Sequence, residues 1–198
     1  MDNLFGLIIC GGKSLRMGVD KSLLKYYGIP HRYYLFSLLK DFCQSVYLSL
    51  NMLQAENLDN SYPYITDAPE YNDIGPMSAL LSAWKKFPQA SWLVVGCDYP
   101  FINKEIIQSL ICNRDKSATC FFLAEKNIHE PLLTIYESSF YDKVMEAHSK
   151  QNYSLSKILA NENVNIIKSF SAHFLKNVNT LDEFSAVKNL LNSQPVVL

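Results

Sequence analysis

A short segment after the first apolar stretch of the chain combines glycines with cations. Leu4 to Cys10 is apolar, and the residues that follow it include Gly11, Gly12, Gly18, Lys13, Arg16 and Lys21. Glycine lets the backbone curl with its N–H groups pointing inward and lets an anion approach closely, while Lys and Arg neutralise negative charge. This pattern is typical of a polyphosphate cradle. The alternative is an ordinary glycine turn with solvated lysines. It is less favoured because three glycines and three cations cluster directly after the first predicted strand.

Two well-known phosphate loops do not match this segment. Gly12-Lys13-Ser14 resembles the end of the G-x-x-x-x-G-K-[ST] loop, but the first glycine of that motif would fall at Leu7, inside the predicted strand. The dinucleotide fingerprint G-x-G-x-x-G is excluded because the chain contains no G-x-G. The segment is therefore a phosphate loop of another kind.

Asp98 is the second candidate for chemistry. It follows the apolar run Trp92 to Gly96, which is typical of a strand buried on both faces, and it precedes Tyr99-Pro100. Open α/β sheets bind ligands at the carboxyl ends of their strands. Because Mg²⁺ binds carboxylate and phosphate oxygens, one Asp together with substrate phosphates makes a complete site. We therefore expect Asp98 to bind Mg²⁺, the alternative being that it only caps the turn before Pro100.

The elements that must position these residues alternate between strands and helices along the chain. The predicted strands are Leu4 to Cys10, Ser45 to Asn51, Tyr64 to Thr66, Trp92 to Gly96, Ala118 to Leu123, Leu132 to Tyr136 and Val164 to Ile167. The predicted helices are His31 to about Phe42, Gly75-Pro76 through Trp84, Asn103 to about Ile111, Phe140 to Ser149, Ser154 to Asn161, and a capping box at Thr180 to Glu183 that opens a helix to about Leu191. This alternation predicts an α/β fold with a doubly wound, mostly parallel sheet. Because no linker or repeat divides the chain, we expect residues 1–198 to form a single domain.

Composition excludes several classes of protein. The formal net charge is -1 and the local cluster of cations is one short segment instead of a long basic face, which argues against nucleic acid as a partner. The 5 cysteines include no C-x-x-C and are best explained as reduced thiols of a cytoplasmic protein. The apolar stretch near the start lacks a basic flank and is too short to span a membrane, so we expect no membrane partner.

The segment from Ile9 to Lys21 also resembles a known family. It has the sequence I-C-G-G-K-S-L-R-M-G-V-D-K, which is similar to the signature [L/V]-[A/C]-G-G-x-S-x-R-M-G-x-D-K of nucleotidyltransferases, above all the molybdenum cofactor guanylyltransferases. The next residues, S-L-L-x-Y-x-G-I-P, match the hydrophobic pair and G-x-P turn of that family. The resemblance implies a Rossmann-like nucleotidyltransferase fold and Mg²⁺-dependent transfer of GMP from GTP to the terminal phosphate of molybdopterin, with release of pyrophosphate.

The resemblance also implies roles for individual residues. Lys21, Arg16 and Asp98 would be catalytic, and Asp98 would hold the metal. The nucleotide would contact Ile9, Cys10, Gly11, Gly12, Lys21, Ser49, Asp67, Gly75 and Asp98. Ser49 stands where relatives carry an Asn near the end of the second strand, so the contact to base or ribose differs there. From chemistry alone, Asp67 could equally be a solvated loop acid and Gly75 the start of a helix.

Three residues are implied on the acceptor side. His129 belongs to H-E-P-L-L, which resembles an H-P-L segment of the family with Glu130 as the departure. Asn177 and Asn179 belong to N-V-N-T, which matches the family's N-x-N-T before the last helix. The alternatives are that His129 is structural or solvated and that the two asparagines are ordinary turn residues before a capping box.

Other functions stay open at this point. Related enzymes transfer CMP from CTP to the same pterin, or a nucleotide to a sugar phosphate, and the sequence does not identify the base. A nucleotide-binding module without catalysis is less favoured because both Lys21 and Asp98 are present. The small-molecule partners implied are GTP and molybdopterin, and contacts with other molybdenum cofactor biosynthesis proteins or acceptor enzymes are expected from the family.

Overall fold

The structure, a computed structural model, describes residues 3–11, 20–59, 61–168 and 177–193. The strands are β1 (Leu4–Ile9), β2 (Ser45–Leu50), β3 (Tyr64–Thr66), β4 (Ser91–Gly96), β5 (Ala118–Leu123), β6 (Ile128–Tyr136) and β7 (Asn165–Ile167). The α-helices are α1 (His31–Lys40), α2 (Met52–Glu56), α3 (Pro76–Lys86), α4 (Lys104–Cys112), α5 (Tyr141–Ser149), α6 (Leu155–Asn161) and α7 (Leu181–Ser193). Strands and helices therefore alternate as predicted.

Within the described ranges the strands form one 7-stranded sheet in the order β3-β2-β1-β4-β6-β5-β7. Pairs β1·β2, β1·β4, β2·β3 and β5·β7 are parallel, while β6 is antiparallel to both β4 and β5. The predicted α/β fold with a mostly parallel sheet is confirmed.

Helices cover both faces of the sheet. Leu4 and Ile8 of β1 pack in a core with α1 and α4. Leu7 and Ile9, which alternate with them, pack in a second core with α3, α5 and α6. Every residue of β4 is buried, as expected for a strand that contributes to both cores. The sheet is therefore doubly wound, and its central strands are fixed on either side.

Predicted helix caps are also confirmed. The Asn103 side chain accepts a hydrogen bond from the backbone N–H of Ile106 at 3.0 Å, at the start of α4. Before α7, the Thr180 side chain accepts from the Glu183 N–H at 3.2 Å and the Glu183 carboxylate accepts from the Thr180 N–H at 3.1 Å. These are the two reciprocal bonds of a capping box.

Strand β6 is longer than the sequence predicts, because it begins at Ile128 and not at Leu132. Proline cannot donate to a strand ladder, so Pro131 argues against strand structure at this point. Pairing with β4 covers only residues 133–136, and the pairing with β5 shifts register between Cys120 and Phe122. Pro131 therefore lies where β4 does not pair with β6 and where the ladder with β5 is irregular.

Helix α2 is absent from the predictions, and α1 ends at Lys40 instead of about Phe42. The strand predicted through Asn51 ends at Leu50, and Asn51 is the N-cap of α2. Its side chain accepts from the Gln54 N–H at 2.9 Å, and the Gln54 side chain accepts from the Asn51 N–H at 3.1 Å. N-x-x-Q is a capping-box signal that the alternating pattern of the strand obscured.

Candidate active site

The carboxyl ends of β1, β2 and β4 meet at one edge of the sheet. Ile9 is in register with Ser49 on one side and with Gly96 on the other. The chain therefore leaves the three strands at neighbouring positions, near Gly11 after β1, at Asn51 after β2 and near Asp98 after β4. This is the edge at which open α/β sheets bind ligands.

A cleft of about 620 Å³ lies at this edge. It is lined by Ile9, Cys10, Gly11, Lys21, Ser49, Leu50, Asn51, Asp67, Asp73, Gly75, Pro76, Ser78, Ala79, Cys97, Asp98 and Leu132. Every residue predicted to contact the nucleotide lines this cleft, except Gly12, which lies outside the described residues together with Arg16, Lys13 and Gly18. The structure therefore brings together predicted nucleotide contacts that are up to 89 positions apart, as Ile9 and Asp98 are.

The Lys21 ammonium is held in place at this cleft. Its Nζ donates to Oδ1 of Asn179 at 2.8 Å and to the carbonyl oxygen of Val178 at 3.2 Å. Asp20, just before it, caps a short 3₁₀ helix at Lys21–Leu23 by accepting from the Ser22 N–H at 2.9 Å. A lysine ordered in this way binds a phosphate with less loss of side-chain entropy on binding.

The two oxygens of the Asp98 carboxylate differ. Oδ2 accepts a hydrogen bond from Nδ2 of Asn177 at 3.0 Å. Oδ1 is buried and has no hydrogen-bond partner among the residues that the structure describes. Burial raises the pKa of Asp98 above its ordinary value, opposed by a hydrogen bond from its own backbone, by Lys21 and by the Asn177 amide. A buried carboxylate oxygen without a donor is an acceptor that a cation would complete.

Asp98 is accordingly the residue that could hold Mg²⁺. Within the described ranges, no three His, Cys, Asp or Glu side chains come together in a way that could bind a metal ion. Magnesium is commonly bound through one or two carboxylates plus substrate phosphates and water, so Asp98 with a bound polyphosphate fits this chemistry.

Gly96 makes room for the Asp98 side chain. A Cβ at this position would lie 2.6 Å from Oδ1 of Asp98 and 3.2 Å from Cβ of Leu132. Real Cβ atoms do not approach an oxygen this closely, so any larger residue at position 96 would displace the carboxylate.

The Asn177–Asn179 segment joins the two principal side chains of the cleft. Asn177 bonds to Asp98, Asn179 bonds to Lys21, and the Val178 N–H donates to the Asp98 carbonyl oxygen at 2.9 Å. The Val178 side chain is 1% exposed and packs in a small core with Tyr26, Phe101 and Val187. From the sequence, Asn177 and Asn179 could be either ordinary turn residues or site residues. In the structure, both bond to candidate catalytic side chains.

The amides at the end of β1 have partners already. The N–H groups of Cys10 and Gly11 both donate to the carbonyl oxygen of Ser49, at 3.0 and 3.2 Å. The Ser49 side chain is buried, and the Oδ1 of Asn51 caps α2. A ligand would therefore meet this strand end by close approach to the backbone, and Lys21 is the cation among the described lining residues that could contact its phosphates.

Asp67, which directly follows β3, and Gly75 also line the cleft. Loss of hydration raises the pKa of Asp67, and the neighbouring Asp73 raises it further. Gly75 has φ 68 and ψ -146, a conformation that disfavours any residue with a Cβ. It precedes Pro76, which begins α3 as predicted. Gly75 therefore serves the turn into α3 whether or not a nucleotide contacts it.

His129 is not among the residues that line the cleft. It lies on β6 with its ring 5.0 Å from that of Phe122, and its carbonyl oxygen accepts from the Ser156 hydroxyl at 2.8 Å. Burial lowers the pKa of His129. The next residue, Glu130, is 7% exposed and accepts a hydrogen bond from the Tyr99 hydroxyl at 2.5 Å. Glu130, the residue that departs from the family's H-P-L segment, therefore bonds to the residue directly after Asp98 and helps to fix that end of β4.

Neither the phosphate-loop motif nor the predicted site residues include Gln54 or Cys97. Gln54 donates to Cys10 and Asp20, and Cys10 and Cys97 bring their sulfurs within 3.2 Å of each other. The capping box was a signal for Gln54, while the two thiols are neighbours only because β1 and β4 pair. Both cysteines are buried free thiols that line the cleft.

The sheet and the cleft at its strand ends define a doubly wound α/β protein with a candidate ligand site at the carboxyl ends of its parallel strands. Residues 6–166 match the family model of the MobA-like NTP transferase domain. The chain therefore belongs to the MobA-like NTP transferase family and is a nucleotidyltransferase.

Curated relatives agree with this membership. Over 188 residues the chain is 32% identical to the "Molybdenum cofactor biosynthesis bifunctional protein" of Synechocystis sp., with 93% of this chain and 53% of that protein covered. It thus spans about half the length of that relative. It is 26% identical over 188 residues to the "Probable molybdenum cofactor guanylyltransferase" of Flavobacterium johnsoniae, with 93% and 96% covered.

A solved structure shows the same fold. The "Molybdopterin-guanine dinucleotide biosynthesis protein A" of Archaeoglobus fulgidus superposes with a TM-score of 0.77 at 20% identity, over 96% of this chain and 100% of that chain. Among the described helices, none is long and apolar enough to cross a membrane.

Proposed function

We propose that this protein transfers GMP from GTP to the terminal phosphate of molybdopterin in a Mg²⁺-dependent reaction. The products are molybdopterin guanine dinucleotide and pyrophosphate. The observation that carries the proposal is that Lys21 and Asp98 line one cleft and are joined through the Asn177–Asn179 segment. The names of relatives that match along most of the chain support the choice of base and acceptor.

The reaction needs no covalent intermediate on the protein. A phosphate oxygen of the acceptor attacks the α-phosphorus of GTP, and the bond from that phosphorus to the oxygen that bridges the α- and β-phosphates breaks as pyrophosphate leaves. Catalysis then consists of holding the reactants in line and neutralising charge that moves to the leaving group. Lys21, oriented by Asn179 and Val178, supplies a positive charge for this purpose, and Arg16 is a second candidate from its place in the family signature.

Asp98 is the protein ligand that would hold Mg²⁺ through Oδ1, and the bound ion would supply further neutralisation of phosphate charge. Asn177 fixes the carboxylate by its bond to Oδ2, so the free oxygen keeps its direction. Asn177 and Asn179 do not line the cleft themselves, and they would serve the reaction through the groups that they hold, Asn177 through Asp98 and Asn179 through Lys21.

A direct assay tests the proposal. The purified protein is incubated with Mg²⁺, molybdopterin and each of the four nucleoside triphosphates in turn, and both pyrophosphate and the dinucleotide product are measured. We expect product with GTP and a requirement for both Mg²⁺ and the acceptor. Product with CTP alone, or only with a sugar phosphate as acceptor, would assign a related nucleotidyltransferase reaction. Triphosphate binding without turnover under all of these conditions would indicate a non-catalytic module.

A further inference from the structure

The side-chain amide of Gln54 joins three parts of the site. Its Oε1 accepts from the backbone N–H of Asn51 at 3.1 Å. Its Nε2 donates to the carbonyl oxygen of Cys10 at 3.1 Å and to Oδ2 of Asp20 at 2.9 Å. Two acceptors face the nitrogen and one donor faces the oxygen, so these partners allow only one orientation of the amide.

Two of these partners stand at opposite ends of the glycine- and base-rich segment. Cys10 is followed by Gly11 at the end of β1, and Asp20 is followed by Lys21. Gly11 and Lys21 both line the cleft. One amide therefore sets the distance between the strand end and the residue that carries the ammonium group.

Asp20 transmits this contact to Lys21. While Oδ2 accepts from Gln54, Oδ1 accepts from the Ser22 N–H at 2.9 Å and from the Ser22 hydroxyl at 2.8 Å. Ser22 is fully buried and lies in the 3₁₀ helix that begins at Lys21. The Asp20 carboxylate thus links Gln54 to the turn from which Lys21 projects.

We infer that Gln54 is a positioning residue for triphosphate binding, which it serves by holding Lys21 against the end of β1. This inference rests on the proposed function, because it concerns the same cleft. Gln54 itself does not line the cleft. It acts through Asp20 and Cys10.

The capping role of Gln54 can be separated from this positioning role. Glu serves as well as Gln at the third position of a capping box, because that contact uses only an acceptor oxygen. Glu cannot donate, however, so Gln54→Glu keeps the cap of α2 and loses both bonds to the ends of the segment. It also places a carboxylate against that of Asp20.

The test measures the Kd of GTP with Mg²⁺ by calorimetry for the wild type and the variants. We expect Gln54→Glu to weaken binding about tenfold or more at pH 8, since a bond to a charged group is lost and a repulsion is added. The neutral Gln54→Met should weaken binding less, in the same direction. The matched control is Gln108→Glu on the exposed surface of α4, which should bind GTP like the wild type.

Two further measurements exclude a general loss of structure. Two carboxylates that share a site raise the pKa of one of them, so the Gln54→Glu variant should regain a donor as the pH falls from 8 to 6. The Kd of the Gln54→Glu variant should then move closer to that of the wild type. The double variant Gln54→Glu with Asp20→Asn restores a donor opposite an acceptor and should bind more tightly than Gln54→Glu alone.

Unchanged GTP binding in Gln54→Glu, or an equal loss in Gln108→Glu, would overturn the inference, as would a double variant no better than the single one. Failure of the proposed function would give a different set of results. A wild type that binds GTP but does not form the dinucleotide contradicts the function and leaves the Gln54 test intact. A wild type that binds no triphosphate contradicts both.

Discussion

The ammonium of Lys21 donates a hydrogen bond to the side-chain oxygen of Asn179, 158 positions further along the chain, at 2.8 Å. The partner is an amide and not a carboxylate, so the charge of the lysine stays uncompensated by this contact. An ammonium group that is oriented by neutral amide and carbonyl acceptors retains its attraction for phosphate. The relationship explains how a flexible side chain can be ready for an anion before the anion arrives.

Replacement of Lys21 is expected to reduce turnover more than replacement of its partner. Lys21→Met removes the charge and should lower kcat by about 10²–10³, as loss of one preorganised electrostatic contact does in other enzymes. Asn179→Ala leaves the charge but frees the side chain, and should lower kcat/KM by roughly tenfold. Steady-state pyrophosphate release measures both. The exposed Lys25→Met is the matched control, and equal losses in Lys21→Met and Lys25→Met would contradict the role of Lys21.

Asp98→Asn should separate activity from stability. Burial raises the pKa of this carboxyl in the folded protein, which means that its ionised form is disfavoured by folding. A neutral Asn of the same shape should therefore raise the midpoint of thermal unfolding at pH 7, where 1 kcal/mol corresponds to about 2–4 °C for a chain of this size. Turnover should fall by at least about 10², with a higher Mg²⁺ requirement for any residual rate.

Both results for Asp98→Asn are needed. Scanning calorimetry without metal gives the stability, and a Mg²⁺ titration of pyrophosphate release gives the activity. A lower unfolding midpoint together with normal turnover would show that Asp98 is a structural cap of its turn and not a metal ligand.

Gly96→Ala should impair the site through a single methyl group. The new Cβ would lie 2.6 Å from Oδ1 of Asp98, so the carboxylate must move. We expect kcat/KM to fall by about tenfold or more, because small misplacements at a reacting centre are costly. Gly6→Ala is the control, since its Cβ would meet the Leu39 side chain at 2.9 Å, away from the cleft. That variant should lose stability but keep the turnover of its folded fraction, and the reverse pattern would contradict the prediction.

His31 should make stability depend on pH. It is 0% exposed, and burial lowers its pKa from 6.5 to about 4, partly offset by the bond of its Nε2 to the Tyr99 carbonyl oxygen. The unfolded chain therefore binds more protons than the folded chain between these values. The contribution of His31 is complete above pH 6.5 and is lost progressively as the pH falls to about 4, by about 3 kcal/mol in total.

Urea unfolding between pH 7.5 and 4 measures this dependence. His31→Gln should flatten the part of the curve that belongs to this residue, while His148→Gln on α5 should leave it unchanged. A wild-type and a His31→Gln curve of the same slope would exclude His31 as the source.

Much of this architecture follows from local sequence, and the exceptions have physical causes. Strand β4 was predicted correctly because a continuous apolar run is typical of a strand buried on both faces. The start of α7 was predicted correctly because a capping box is a local signal. Helix α2 was missed because Asn51 continues the alternation of β2 while its side chain begins a helix. The length of β6 was underestimated because the effect of Pro131 depends on which neighbouring strand pairs beside it, and that is decided by tertiary structure.

The candidate site likewise combines residues that local sequence predicts with contacts that depend on tertiary structure. The predicted residues that line the cleft come from a motif, from strand ends and from the start of a helix, all of which can be read along the chain. The bonds of Asn177 and Asn179 to Asp98 and Lys21 cannot, since the turn before a capping box has the same sequence whether or not it faces a ligand. The positions of Gln54 and of the adjacent thiols of Cys10 and Cys97 likewise depend on contacts between elements that are distant in sequence.

The Asn177–Asn179 segment has a consequence for the order in which the protein becomes competent. Translation produces Lys21 and Asp98 well before the asparagines that orient them. A chain synthesised only as far as Asp98 therefore contains both charged groups while neither yet has its amide partner. Chains truncated before Asn177 and after Ser193 should differ in their capacity to retain a triphosphate, so this late segment decides when the cleft becomes competent.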